Sequence, residues 1–489
     1  MRLNIKRETK KEKRKPSPGE KMNKNMLGLG YGVVILFMCL MVYMVYFLTV
    51  QREEVIGNPY NNPRLDKFSG QVERGRILGN DRTVLAETRT GEDKEEIRVY
   101  PFGELFAHGV GYSTRGKTGL EALANFYLLS SHINPLSQAM ARLSGRKSPG
   151  DWVVTTLDLK LQQAAAEALG DQRGAVVVME PSTGRILAMV SKPGFDPNGV
   201  EADWESLVSE DGGQARLLNR AAQGLYPPGS VFKIVTVLAY IRQHPDDYDQ
   251  FRFDCDGHFE RGDYTIQCYH GNAHGSQDIF QAFANSCNGA FAAMGLELDP
   301  GRLLDTATGL LFGQDLPVDM AYTGSRFSMD QEAGDWDIIQ TSIGQGLTQM
   351  TPLHNALITA AIANNGVLMR PCLLDHVENG AGDVVKDFSP EVWGELMTLR
   401  EAEILKTMMK QVVTEGTGSA LRDADYTAAG KTGSAQFETG KDSHAWFTGF
   451  APAEDPRIVV TVIVEEGGSG GQTAAPVARK IFDALLSTP

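Results

Sequence analysis

Three short motifs follow one another along the 489-residue chain: Ser230-Val231-Phe232-Lys233, Ser286-Cys287-Asn288 and Lys431-Thr432-Gly433. They supply a hydroxyl with an amine three residues on, a second hydroxyl beside an amide, and a cation next to a hydroxyl and a glycine. Serine acyl transfer on a peptide that ends in a carboxylate needs this set: a nucleophile, a base, a proton carrier and an anion holder. A lysine acts as a base only when neutral. Bringing its pKa from about 10.4 to roughly 7 takes on the order of 4–5 kcal/mol of differential interaction, which burial and a second cation supply. Lys431 is the second cation, Ser286 the hydroxyl able to bridge the two amines, and Asn288 a donor for a substrate carbonyl.

Positioning these groups makes demands on the elements around them. Ser230 follows Tyr226-Pro227-Pro228-Gly229 and opens an apolar run over 231–240. That pattern predicts a serine at the start of a buried helix, where free N–H groups and the helix dipole favour negative charge and the i, i+3 spacing puts Lys233 on the same face. Alone, it fits a cap serine and a solvated lysine equally well, and Ser286-Cys287-Asn288 alone fits a helix-end cap. Residues 428–436 read as a strand with small side chains, open to an added peptide strand, with Thr432, Gly433 and Ser434 beside a terminal carboxylate. The backbone N–H groups of Ser230 and Ser434 are the expected oxyanion hole.

Five segments, 174–179, 185–190, 428–436, 444–450 and 457–464, read as strands, and 157–169, 232–241, 351–364, 401–414 and 475–486 as helices. The expectation is an α/β (α+β) fold in which one five-stranded antiparallel sheet is flanked by helices. Residues 26–50 contain no charged side chain, about 37 Å as a helix against a hydrocarbon core of roughly 30 Å, and are expected to span a membrane. The basic tail before them carries ten Lys and Arg against three Glu, or +7. With a formal net charge of −14 for the whole chain, the remainder carries −21. The tail is therefore expected in the cytoplasm and the rest outside, and the acidic remainder argues against nucleic-acid binding. Residues 51–150 read as a small mixed pedestal, closed by Gly-Arg-Lys-Ser-Pro-Gly at 145–150, with the catalytic domain over 151–489.

Of five cysteines, Cys39 falls in the span and Cys372 stands apart. Cys255, Cys268, His274 and Cys287 form a C-x12-C-x5-H-x12-C array, a Cys3His set suited to tetrahedral zinc, while Cys255 and Cys268 equally suit a disulfide stapling a hairpin. His258 and His270 are nearby and read as loop residues.

The three motifs, together with Arg74-Gly75-Arg76-Ile77, Gly119-Leu120-Glu121, Pro181-Ser182-Thr183-Gly184-Arg185, Asn219-Arg220-Ala221 and Ile343-Gly344-Gln345-Gly346 followed by Thr351-Pro352, resemble the class B penicillin-binding proteins. The resemblance covers most of the chain. It implies the penicillin-recognising serine-enzyme fold and a peptidoglycan D,D-transpeptidase that cross-links stem peptides ending in D-Ala-D-Ala and is acylated by β-lactams. It also implies a polytopic membrane glycosyltransferase as partner, since class A members carry their own at this end. The catalytic residues expected by resemblance are Ser230, Lys233, Ser286, Asn288 and Lys431, with no cofactor in the chemistry. A D,D-carboxypeptidase and a β-lactam sensor or hydrolase share these residues, and a cell-wall scaffold is the non-enzymatic alternative.

Overall fold

The computed structural model describes residues 18–47, 70, 72–91, 95–209, 214–438 and 440–487. Residues 1–17 of the basic tail, 48–50 of the expected span and 51–69 at the start of the pedestal lie outside them. Helix α1 (Pro18–Tyr46) contains Met26–Tyr46, apolar and exposed, long enough to cross a membrane. It belongs to a unit of residues 1–61, distinct from the unit 62–489.

In the second unit the chain runs through β1 (Ile77–Leu78), β2 (Val84–Thr90), β3 (Glu96–Val99), β4 (Trp152–Thr155), α2 (Leu159–Leu169), β5 (Gly174–Met179) and β6 (Ile186–Lys192). Next come α3 (Lys233–Gln243), β7 (Arg252–Cys255), the hairpin β8 (His258–Arg261) and β9 (Tyr264–Gln267), β10 (Gly275–Asp278), α4 (Ile279–Ala284), α5 (Asn288–Glu297) and α6 (Pro352–Ala363). The chain ends with β11 (Leu374–Glu378), β12 (Val384–Asp387), α7 (Leu399–Thr414), β13 (Ala429–Ala435), β14 (His444–Ala451), β15 (Ile458–Val464) and α8 (Ala475–Leu486).

Strands β13, β14, β15, β5 and β6 lie side by side in that order, every pair antiparallel. This is the expected five-stranded sheet, with strand ends within two residues of those read from the sequence. The apolar runs arise because both faces are covered. Along β5, Val176 and Val178 pack on one side with α2 and α8, and Ala175, Val177 and Met179 on the other with α3 and α6. Local caps fix where these helices begin: Asp158 accepts from the Leu161 N–H at α2, and Thr351 with Pro352 starts α6. At the sheet's edge, β13 has a strand neighbour on one side only, so the other side is available to a ligand.

A second sheet runs in the order β12-β11-β4-β1-β2-β3. It crosses the boundary expected at residue 150. Strand β4 pairs in parallel with β1 and antiparallel with β11, so the pedestal sheet is completed by chain that lies more than 200 residues further on. Edge-to-edge pairing of distant strands leaves no local signal in composition, which is why the Gly and Pro stretch at 145–150 looked like a domain limit.

Candidate active site

The nucleophile turn is fixed from three sides. Gly229–Phe232 forms a single 3-10 turn that runs straight into α3 at Lys233. Gly229 has φ +54°, and a Cβ there would lie 2.8 Å from the Ser434 carbonyl oxygen, so only glycine lets the turn close on β13. The indole N–H of Trp446 donates to the Pro227 carbonyl at 3.1 Å, and the Gly229 N–H donates to the Gly344 carbonyl at 2.8 Å. Ser230 itself is half-buried, and its hydroxyl has no hydrogen-bond partner among the described residues.

Lys233 and Lys431 are both fully buried. The Lys233 ammonium donates to the Ser286 carbonyl at 2.7 Å, to Asn288 Oδ1 at 2.8 Å and to Ser286 Oγ at 3.3 Å. Lys431 donates to the same Ser286 Oγ at 2.9 Å and to the Thr432 carbonyl at 2.9 Å. The Ser286 hydroxyl thus stands between the two amines, as the sequence suggested. Aromatic rings replace water around them, with Phe291 5.2 Å from the Lys233 nitrogen and Phe283 5.5 Å from that of Lys431. Burial pulls Lys233 down to about 8, against the opposing pull of the Cys287 and Cys268 sulfurs. Lys431 is driven well below its ordinary value by burial and by the charge of Lys233.

Ser286 occupies the turn between α4 and α5 with φ +55°, a left-handed conformation unusual outside glycine. Strain of this size persists only where the surroundings over-determine it. Here the Ser286 N–H donates to the Phe283 carbonyl, the Cys287 N–H to that of Ala282, and Lys233 to the Ser286 carbonyl. The motif is therefore both the helix-end cap and part of the site.

On β13 the pleat sends Lys431 to the side facing α4 and leaves Thr432 and Ser434 on the other. The Ser434 hydroxyl accepts from the Gly470 N–H at 3.2 Å, and Thr432 shares a hydrogen bond of 2.5 Å with the Thr417 hydroxyl. Gly433 lies close against the nucleophile-bearing segment: a Cβ there would come to 3.2 Å from the Val231 nitrogen, a tight contact.

The four residues of the cysteine array converge. Cys255 ends β7, Cys268 follows β9, His274 precedes β10 and Cys287 caps α5. All four ligand atoms lie within 4.8 Å of one another. Sulfur separations are 3.7 Å for Cys255–Cys268 and 3.8 Å for Cys268–Cys287, and Cys255 Sγ is 3.3 Å from His274 Nδ1. A tetrahedron with Zn–S bonds of about 2.3 Å has S···S edges of about 3.8 Å. The Cys255 and Cys268 sulfurs stand 3.7 Å apart, longer than the about 2.05 Å of a disulfide bond. N–H groups aim at the sulfurs. Cys287 accepts from the Ala290 N–H at 3.4 Å, and Gln277, buried to 1 % exposure, leaves its amide nitrogen without an oxygen or nitrogen partner on the Cys287 side. The Cys268 thiol is pulled well below its ordinary value, first by its hydrogen bond with Cys287 and then, against the opposing effect of burial, by the N–H groups of Gly289 and Asn288 and by Cys255. His258 and His270 are exposed and outside the cluster.

Glu465, which helps hold the site, has no signature of its own in the sequence. Glu465, just past β15, accepts from Arg220 Nε at 2.7 Å and from the Tyr226 hydroxyl at 2.8 Å, anchoring the turn ahead of Ser230. Arg220 is 1 % exposed; the sequence marks it only through the Asn219-Arg220-Ala221 segment and does not mark Glu465 as its partner.

Residues 174–483 match the Penicillin binding protein transpeptidase domain, and residues 74–153 the Penicillin binding protein A dimerisation domain. The chain is 32% identical over 500 residues to the peptidoglycan D,D-transpeptidase PbpA of Mycolicibacterium smegmatis, covering 95% of this chain and 99% of that one. It is 30% identical over 476 residues to stage V sporulation protein D of Bacillus subtilis, covering 89% and 71%. The imipenem acyl-enzyme complex of penicillin-binding protein A from M. tuberculosis aligns with a TM-score of 0.78 at 29% identity, covering 86% of this chain and all of that one. The D,D-transpeptidase domain of a peptidoglycan glycosyltransferase from Eggerthella lenta aligns with a TM-score of 0.77 at 32% identity, covering 85% and 98%.

Proposed function

The chain belongs to the penicillin-binding protein transpeptidases, and on that premise we propose that Ser230 carries the acyl group in peptidoglycan cross-linking. The protein is a serine-type D-Ala-D-Ala transpeptidase of peptidoglycan synthesis that is acylated by β-lactams. One observation supports the assignment of residues above all others: a single hydroxyl, Ser286, bridges two buried amines next to the Ser230 turn.

Neutral Lys233 takes the proton of Ser230, whose oxygen attacks the carbonyl of the penultimate D-Ala. The N–H groups of Ser230 and Ser434 hold the tetrahedral oxyanion. Thr432 and Ser434 face the terminal carboxylate, and the second Asn288 N–H, the one not bound to Gln267, is left for a substrate carbonyl. Collapse breaks the peptide bond, and the departing D-Ala amine takes a proton through Ser286, which Lys233 reprotonates with the proton it took from Ser230 and so returns to its neutral form, while Lys431 holds the Ser286 hydroxyl in place. An amine of a neighbouring stem peptide then attacks the acyl-enzyme, its proton passes to Lys233, and Ser230 is restored. Buried aromatic surroundings keep this relay dry.

Cys255, Cys268, His274 and Cys287 would hold one structural zinc that pins the hairpin to the middle motif and supplies no chemistry. The N-terminal apolar helix suits a single-pass anchor, and we place the basic tail on the cytoplasmic side and the catalytic unit outside. A cross-linking enzyme acts on strands as they are polymerised, so a polytopic membrane glycosyltransferase is the expected partner, tested by co-purification in detergent. The decisive assay for the activity uses purified lipid-linked precursor with a polymerase. Wild-type protein should yield cross-linked dimers with release of D-Ala, and Ser230→Ala none. Release of D-Ala without dimers would instead make the protein a carboxypeptidase.

A further inference from the structure

The Thr417 and Thr432 hydroxyl oxygens are 2.5 Å apart. Thr417 lies on the turn after α7, fourteen positions before the Lys431 motif, and its place is tightly set. Its N–H donates to the Ala284 carbonyl at 3.2 Å, two residues before Ser286. A side chain at Gly416 would overlap that same carbonyl, and a Cβ at Gly471 would lie 2.5 Å from the Thr417 carbonyl oxygen. The neighbouring Gly470 is the residue whose N–H binds Ser434. Thr417 is thus wedged between α4, β13 and the 470–471 turn.

Each hydroxyl has one proton to give. If Thr432 donates to Thr417, it turns only lone pairs toward an incoming carboxylate. If Thr417 donates to Thr432, the Thr432 proton is free for the anion, and the two bonds polarise one another in the same sense. We propose that Thr417 is a positioning residue for the substrate carboxylate, acting as the donor that commits the Thr432 hydroxyl to it. The inference rests on the reading of Thr432 as a carboxylate ligand.

The experiment compares acylation rates of a penicillin and of its methyl ester, which lacks the anion, in wild type, Thr417→Val, Thr417→Ser and Thr432→Val. Thr417→Val keeps the shape and removes the donor. It should slow acylation by the free acid about tenfold and by the ester by less than about twofold, with Thr417→Ser restoring the acid rate. Equal slowing of acid and ester, no slowing of either, or a serine variant as slow as valine overturns the proposal. Thr432→Val separates the two levels of the argument. If it shows no acid-selective loss, the carboxylate assignment itself fails; if it does and Thr417→Val does not, only the role of Thr417 falls.

Discussion

Asn288 donates from its side-chain amide to the Gln267 carbonyl at 2.9 Å, one residue before Cys268, while its Oδ1 accepts from Lys233. One asparagine therefore connects the cysteine cluster to Lys233, the proposed general base. If the cluster holds zinc, the metal fixes the peptide that fixes Asn288, and loss of metal is felt at the base 

Protein purified without added metal should contain about one zinc per chain by elemental analysis. Chelation, or Cys268→Ser, should lower Tm by roughly 2–3 °C or more, the effect of about 2 kcal/mol in a domain of this size, and should slow β-lactam acylation as well. A native Cys255–Cys268 disulfide found by mass spectrometry contradicts this, because oxidised sulfurs cannot serve as thiolate ligands.

The rate of acylation should follow the neutral fraction of Lys233. Burial lowers that lysine to about 8, so the rate should rise with pH from about 6.5, pass half its maximum near 8 and level off about one unit above that. Lys233→Arg should abolish acylation across the range, since a guanidinium stays charged. A rate independent of pH over that window in the wild type would remove Lys233 as the base.

Much of this was legible beforehand because the signals were local. Strands buried on both faces read as unbroken apolar runs, which is why the five strands of the catalytic sheet and the Tyr226-Pro227-Pro228-Gly229 turn are found where the sequence puts them. The cysteine array was legible because ligand types recur at loop spacings. Thr417 was not: it sits in Glu415-Gly416-Thr417-Gly418, which reads as an ordinary turn, and its meaning comes from a strand and a helix that meet it only in the fold. The same holds for Glu465 with Arg220 and for β11 joining β4, pairings that span hundreds of residues.

Gly344 illustrates how one such contact bears on catalysis. It has φ +79°, and a Cβ there would overlap the Gly229 carbonyl oxygen directly behind the nucleophile. Gly344→Ala should therefore displace the Ser230 turn and slow acylation at least tenfold, a cost consistent with strain of about 1–3 kcal/mol. Stopped-flow measurement with a fluorescent penicillin reads this out, and a wild-type rate would show that the turn is not held from behind.

Glu121 carries a different load, in the pedestal. It is fully buried and receives Arg74 Nε and Arg98 Nε at 2.7 Å each. Burial alone would raise its pKa, but the two guanidiniums outweigh it and bring it to about 2. Removing the carboxylate strands two buried cations, so Glu121→Ala should destabilise the fold by about 3–5 kcal/mol in denaturant titration. Because the folded pKa lies below the unfolded value of about 4.3, the stabilisation from this group is complete above that pH and is lost as pH falls toward 2. A mutant of unchanged stability would mean the network is dispensable.

The central claim is that Ser230, activated between Lys233 and the Ser286 relay, is the acylated residue. Incubation with penicillin, proteolysis and peptide mass mapping tests it directly. The expected result is one adduct per chain, on the peptide containing Ser230, absent from Ser230→Ala. An adduct on any other residue, or equal labelling of wild type and Ser230→Ala, would contradict it.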